Sequence, residues 1–178
     1  MKNFACLTAI VLFIVILTAC AQPTATPTPI DLIQPEDTIN GVLVTTGTAD
    51  TTHVIDLPCK EKSGIYECAT TVGNLTNVSA SVYGSNPEEL ETNWNTFTYS
   101  MTIEGQPVDI TAFGTIDFLH ERTGLYMRAY NIALVSTEPI TIAVHDIGSI
   151  TGKNIDDQAI IVFEPAAEDS IQPLSTAV

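Results

Sequence analysis

The sequence predicts an all-β chain: an antiparallel β-sandwich, Ig-like or jelly-roll-like, of about nine strands with one short helical turn. Three observations carry that reading. Short runs rich in Val, Ile and Thr recur at close spacing between Gly, Pro, Asn and Ser clusters. The stretch NTFTYSMTI at 95–103 alternates, with Phe97, Tyr99, Met101 and Ile103 on one side and Thr96, Thr98, Ser100 and Thr102 on the other. Period two over that length marks a half-buried strand. Only SNPEELE at 85–91 carries helix-start chemistry: Ser85 or Asn86 as cap, Pro87 at N1, Glu88 and Glu89 at the positive end of the dipole. The strand count suits a partly open barrel equally well, and pattern alone leaves the two open.

Taken in order, the chain begins with Met1-Lys2-Asn3 and a nearly unbroken apolar run from Phe4 to Leu17. This is the pattern of a secretory signal peptide. As a helix, Phe4 to Ala19 covers roughly 24 Å at about 1.5 Å per residue, short of the ~30 Å a bilayer core requires. The run ends in Leu17-Thr18-Ala19-Cys20, which resembles the lipobox of bacterial lipoproteins. That resemblance covers the first twenty residues only. It implies cleavage before Cys20, a diacylglycerol on the Cys20 thiol, and an acyl chain such as palmitate on the new amine. Two or three chains anchor a protein stably where one does not. The implied location is the cell membrane, lipid-anchored, facing the extracytoplasmic side.

Ala21 to Pro29 then holds three prolines and three threonines. Proline fixes φ and removes donors, so this segment reads as a polyproline II spacer of about 28 Å. The expected organisation is a signal peptide at 1–19, a lipidated cysteine and Pro/Thr-rich linker at 20–35, a β-sandwich at 36–164 and a flexible acidic tail at 165–178.

Within the domain the strand candidates are Gly41–Thr46, His53–Leu57, Ile65–Val72, Asn77–Tyr83, the alternating stretch above, Val108–Ala112, Gly114–Leu119, Leu125–Val135, Ile140–Asp146 and Ala159–Phe163. EGQP at 104–107, STEP at 136–139 and GSITGKN at 148–154 read as turns. Tyr126 and Tyr130 share a face of their strand, but which face is buried stays open.

Charge excludes one partner class. The chain carries 21 acidic residues and six basic ones, for a net charge of −15. Lys2 leaves with the signal peptide, so the mature form carries −16 against only Lys60, Lys62, Arg122, Arg128 and Lys153. Nucleic-acid binding requires clustered Lys and Arg to neutralise phosphate, and none are clustered here.

Removal of Cys6 and lipidation of Cys20 leave Cys59 and Cys68, in a compartment that permits disulfides. The stretch CKEKSGIYEC turns on Ser63-Gly64, which sets Lys62 against Ile65, Glu61 against Tyr66, Lys60 against Glu67 and Cys59 against Cys68. The last of these is a non-hydrogen-bonded pair with Cα atoms about 4.5 Å apart, within disulfide range.

No motif marks catalysis, and the chain reads as a non-enzyme. HERTG at 120–124 starts like a zinc-protease helix, but Gly124 stands where the second histidine is required. No nucleophile elbow or phosphate loop is present in the sequence. His53, His120 and His145 lie far apart along the chain, so a Ser-His-Asp set would have to assemble in space. No cofactor is indicated. Ca²⁺ is the one metal with a candidate loop: Asn154, Asp156 and Asp157, with Asp146 approaching from the preceding strand. No EF-hand spacing accompanies them, and the competing reading is a solvated acidic turn. Trp94, the only tryptophan, falls in phase with Thr96 and Thr98, on the polar face, where it offers a platform for a sugar ring or an apolar partner patch. Asn74-Leu75-Thr76 and Asn77-Val78-Ser79 match glycosylation acceptors but read here as turn and strand polar residues.

The expectation is a lipid-anchored binding or accessory module that presents a rigid sheet to a protein, glycan or solute partner. A structural cell-envelope interaction protein without a small ligand is the alternative, and a hydrolase is the third reading.

Overall fold

The computed structural model describes residues 31–48 and 51–166. The fold is all-β and sandwich-like, with fourteen strands among the described residues. The signal run, Cys20 and the proline-rich spacer lie outside the described residues, as does most of the acidic tail.

Strands β1 (Asp37–Ile39), β2 (Val42–Thr46), β3 (Thr52–His53), β6 (Thr76–Asn77) and β12 (Ile132–Ser136) form one sheet in the order β1-β2-β12-β6-β3. Strands β4 (Cys59–Lys62), β5 (Ile65–Thr71), β8 (Thr98–Ile103), β9 (Gln106–Pro107), β13 (Ile140–Ile150) and β14 (Lys153–Glu164) form a second, in the order β4-β5-β14-β13-β8-β9. Strands β7 (Ser81–Gly84), β10 (Thr115–His120) and β11 (Leu125–Tyr130) form a third, in the order β10-β11-β7. Pairing is antiparallel except β5 with β14 and β3 with β6.

Alternation decides what each strand buries. Val42 and Val44 of β2 and Leu134 of β12 meet Met101, Ile103, Ile142, Val144, Ile161 and Phe163 of the six-stranded sheet in one core. In the expected alternating stretch Met101 and Ile103 are buried, Tyr99 is half-buried, and Thr98 and Ser100 are exposed. The core begins at Ile33, which is fully buried and bridges Val108, three residues before the expected boundary at Glu36.

The Cys59–Cys68 hairpin has the expected register in all four pairs. Ser63 and Gly64 take φ of 57° and 80°, the left-handed pair that a two-residue turn requires. The disulfide is formed, with Cα atoms 4.1 Å apart. Closing so short a loop is worth about 2.7 kcal/mol in the chain-entropy model. The Cys59→Ser/Cys68→Ser variant is therefore expected to melt several degrees lower. Equal melting temperatures under non-reducing conditions would show that the bridge adds no stability.

Several elements differ from the pattern reading, each for a local reason. The expected strand His53–Leu57 turns after His53 into a 3₁₀ turn at Val54–Asp56, closed by the Leu57 N–H donating to the Val54 carbonyl at 3.1 Å. The expected long strand Leu125–Val135 breaks at Asn131. Its side chain bonds both the N–H and the C=O of Gly47, and the chain there passes from the three-stranded to the five-stranded sheet. The expected loop 148–154 contracts to Thr151-Gly152, with φ of 46° and 77°, so β13 and β14 run through to it. Helix α1 (Pro87–Trp94) forms as expected, with the Asn86 side chain accepting from the Glu89 N–H at 2.9 Å. It ends two turns later on Trp94, which therefore belongs to the helix and not to the alternating strand. Among the described residues no helix is long and apolar enough to cross a membrane.

Candidate functional site

A polar concavity lies where the loop carrying β3 meets the end of β10. Thr51, His53, Asp56, Phe118, His120 and Arg122 line it. Strand β3 supplies His53, the following 3₁₀ turn brings Asp56 round, and β10 delivers Phe118 and His120. The β10–β11 loop carries Glu121, Arg122 and Thr123.

His120 is only 4% exposed, and both ring nitrogens are committed. Nδ1 lies 2.6 Å from Thr123 Oγ1, and Nε2 lies 3.0 Å from Asp56 Oδ1. The Arg122 guanidinium approaches the same carboxylate oxygen at 4.0 Å. His53 stacks on Phe118 with ring centroids 3.7 Å apart and planes 14° from parallel. Among the described residues its Nδ1 is buried without a hydrogen-bond partner. Burial pushes the His53 pKa down, the Asp56 carboxylate opposes that shift, and His120 adds to it. His53 is thus neutral at pH 7, and its unpaired nitrogen faces a buried setting where a missing bond costs about 1–3 kcal/mol.

Thr123, His120 and Asp56 stand in the order of a hydroxyl–imidazole–carboxylate relay. The surrounding backbone argues for a structural use. The N–H groups of Thr123 and Gly124 both donate to the His120 carbonyl, and that of Leu125 donates to Thr123 Oγ1. All three amides beside the hydroxyl are engaged within the loop, so it offers no oxyanion donor. The relay pins the β10–β11 loop to the Val54–Asp56 turn and holds the floor of the cleft.

The residues singled out in the sequence are distributed differently. Trp94 is half-buried in an aromatic group with Phe97, Tyr99 and Tyr130, and the Arg128 guanidinium lies 5.5 Å from its ring. The polar-face platform expected for Trp94 is corrected: it packs at the end of α1 against aromatic rings. The four calcium candidates do not converge. Asp146 and Asp157 are direct cross-strand partners and share a face. Asn154 and Asp156 point to the opposite face, because successive strand residues alternate. On that side Asp156 accepts a 2.7 Å bond from His145 Nε2. Among the described residues no three His, Cys, Asp or Glu side chains come together for a metal.

Asp146 instead turns inward and accepts a 2.7 Å hydrogen bond from the Tyr99 hydroxyl, which in turn accepts from the Ala80 N–H. Burial pushes the Asp146 carboxyl up to about 7; the Tyr99 bond opposes the rise, Asp157 adds to it and His145 opposes it.

Sequence reasoning missed Asp56 and Thr123 as partners of His120. Asp56 lies 64 positions away, so no local pattern reaches it. Thr123 was within reach: a histidine and a threonine three apart, followed by a glycine, mark a tight loop in which the two side chains meet.

No protein-family model matches the chain, and no curated protein matches it. A solved structure of a cysteine protease inhibitor, EhICP2, from Entamoeba histolytica aligns with 56% of this chain and 86% of its own, at 12% identity and a TM-score of 0.29. A likeness of that degree carries no argument about what this chain does.

Proposed function

We propose that this protein is a binding module, lipid-anchored through Cys20 and facing the extracytoplasmic side, which holds a partner at the cleft between β3 and β10. The observation that carries the reading is the cleft itself. It is concave, it places the Asp56 and Arg122 side chains beside the stacked His53 and Phe118 rings, and it leaves one buried polar atom without a partner among the described residues. Concave sites with a few converging polar groups on an apolar wall are where ligands bind. The engaged amides around Thr123 favour binding over hydrolysis. The acidic balance of the chain favours a cationic or neutral partner over nucleic acid.

A photoreactive residue at Glu121, on the cleft rim, is expected to capture a partner in intact cells. The same residue at Thr141, exposed on the far face of the six-stranded sheet, is expected to capture none. Equal yields from the two positions would overturn the assignment of the cleft. For the anchor, Cys20→Ser is expected to abolish lipidation and release the protein from membranes. Mass spectrometry finding an unmodified N-terminus at another residue would contradict it.

A further inference from the structure

Resting on the binding role proposed above, we infer that the partner is an extended peptide segment with alternating apolar and basic residues, which adds to the three-stranded sheet as a new strand beside β10. The six sheet edges are unequal. An open edge is a template for another chain, and proteins blunt it with short strands, lysine, proline or a cover. Here β1 is three residues long and β3 two. Strand β9 is two residues long and contains Pro107. Strand β4 carries Lys60 and Lys62. Strand β7 is covered by α1, whose Asn93 Nδ2 donates to the Tyr83 carbonyl at 2.8 Å. Strand β10 carries one edge charge, Asp117, which Arg128 already holds at 2.6 Å, and otherwise lacks these devices. It spans six residues in unbroken register with β11, and contains no lysine or proline. Among the described residues, the backbone of Ile116–Leu119 makes hydrogen bonds only to β11.

A concavity lies on each face of this edge, and Phe118 and Leu119 line both. On one side is the polar cleft. On the other is a groove walled by Pro87 and Leu90 of α1 and by the cross-strand pair Leu119 and Tyr126. Leu119 and Tyr126 are 55% and 40% exposed, although both are large and apolar. Strand addition uses this arrangement: main-chain bonds supply affinity, and pockets that take alternate side chains supply selectivity. Successive residues of the added strand would enter opposite concavities. The groove takes an apolar side chain. Its charged members are already satisfied, since Arg128 bonds Asp117 at 2.6 Å and Glu91 at 2.8 Å. The cleft offers the Asp56 and Glu121 carboxylates against the one guanidinium of Arg122, in a strongly acidic chain. It takes a basic side chain. The same charge balance opposes a second copy of this chain, whose β10 would bring Asp117 and the rest of the acidic surface with it.

The test uses the full lipidated chain in detergent with two synthetic peptides, one alternating valine and lysine, the other alternating valine and glutamate. The valine–lysine peptide is expected to slow amide hydrogen exchange in Ile116–Leu119 and to leave β1 and β4 unchanged. The valine–glutamate peptide is expected to bind at least about tenfold more weakly. Leu119→Lys, which gives β10 the device that β4 already has, and Asp56→Asn are each expected to weaken the first peptide by a similar factor with unchanged circular dichroism. Nonspecific attraction to the acidic surface would not protect edge amides. Protection at another edge, no protection, or equal binding of both peptides would overturn the inference. So would slowed exchange of β10 that rises with protein concentration alone, since the occupant would then be a second copy. Capture from Glu121 in cells without strand protection would sink this inference and leave the binding role standing, whereas loss of that capture removes the role itself.

Discussion

The Asp146→Asn variant is expected to be more stable than the wild type at pH 8 and equal to it near pH 4. Asp146 sits on the inward face of β13, directly opposite Asp157, with the Tyr99 hydroxyl as its donor. Its carboxyl is pushed up to about 7 in the fold, chiefly by burial. An acid whose folded pKa lies above its unfolded value binds its proton more tightly in the native state. Its contribution is therefore favourable at low pH and is lost as pH climbs from about 4 to about 7. Asparagine keeps an acceptor for Tyr99 and cannot ionise. The difference between variant and wild type should open through that window to about 4 kcal/mol, or roughly 10–15 °C in Tm. Taking the difference cancels groups common to both proteins. These include Asp117, whose carboxyl is held down by its hydrogen bonds from Arg128, and His53, whose depressed pKa acts in the opposite direction. Thermal unfolding of the two proteins from pH 4 to 8 measures it. A difference that does not change with pH would show that Asp146 is ionised in the fold at no cost.

Gly84→Ala is expected to detach α1. Gly84 has no positive φ to protect; its glycine is required by space. A Cβ there would overlap the backbone nitrogen of Leu90 and lie 2.8 Å from its Cα. Backbone cannot rotate away as a side chain can, so the helix must shift or β7 must bend. Overpacking of this kind costs about 1–3 kcal/mol, and the upper end applies against main chain. Leu90, the one buried residue of the helix, would lose its seat. The fluorescence of Trp94, at the end of the same helix, reports the movement. The groove walled by Pro87 and Leu90 would deform with it, so this variant is also expected to weaken any partner held there. Unchanged stability and unchanged Trp94 emission would contradict the close approach of helix and strand.

The fold class was legible because alternation is a local signal. Phe97 to Ile103 announces a half-buried strand without knowledge of its neighbours. The hairpin at Cys59–Cys68 was legible to the register, because a two-residue turn leaves only one way to count outward from it. The helix start was legible from Asn86 and Pro87. Its end was not, because the phase of Trp94 matched the following strand as well as the helix, and packing against Tyr130, thirty-six positions on, decided between them.

The breaks were the least legible feature. Asn131 interrupts a run that reads as one strand, and it does so through bonds to Gly47 that no local pattern contains. The same limit applies to the site. His120 was visible as a residue, but its partner Asp56 comes from another part of the chain and the His53–Phe118 stack is a contact between sheets. The acidic loop left calcium as a weak candidate beside a solvated turn for a different reason. Aspartates close in sequence are not close in space when a strand runs through them, because the pleat sends Asp156 and Asp157 to opposite faces. The open edge at β10 had no sequence signature, since a strand becomes an edge only when the others have been placed.

The most direct test of the central claim, that a partner occupies the cleft and edge around β10, is amide hydrogen exchange in two settings. Residues Ile116–Leu119 would be followed in protein left in its native membranes and in protein purified away from every partner. The account predicts slower exchange in the native membranes at these residues, with β1 and β4 exchanging alike in both. Identical exchange at β10 in the two preparations, or protection confined to another edge, would contradict it.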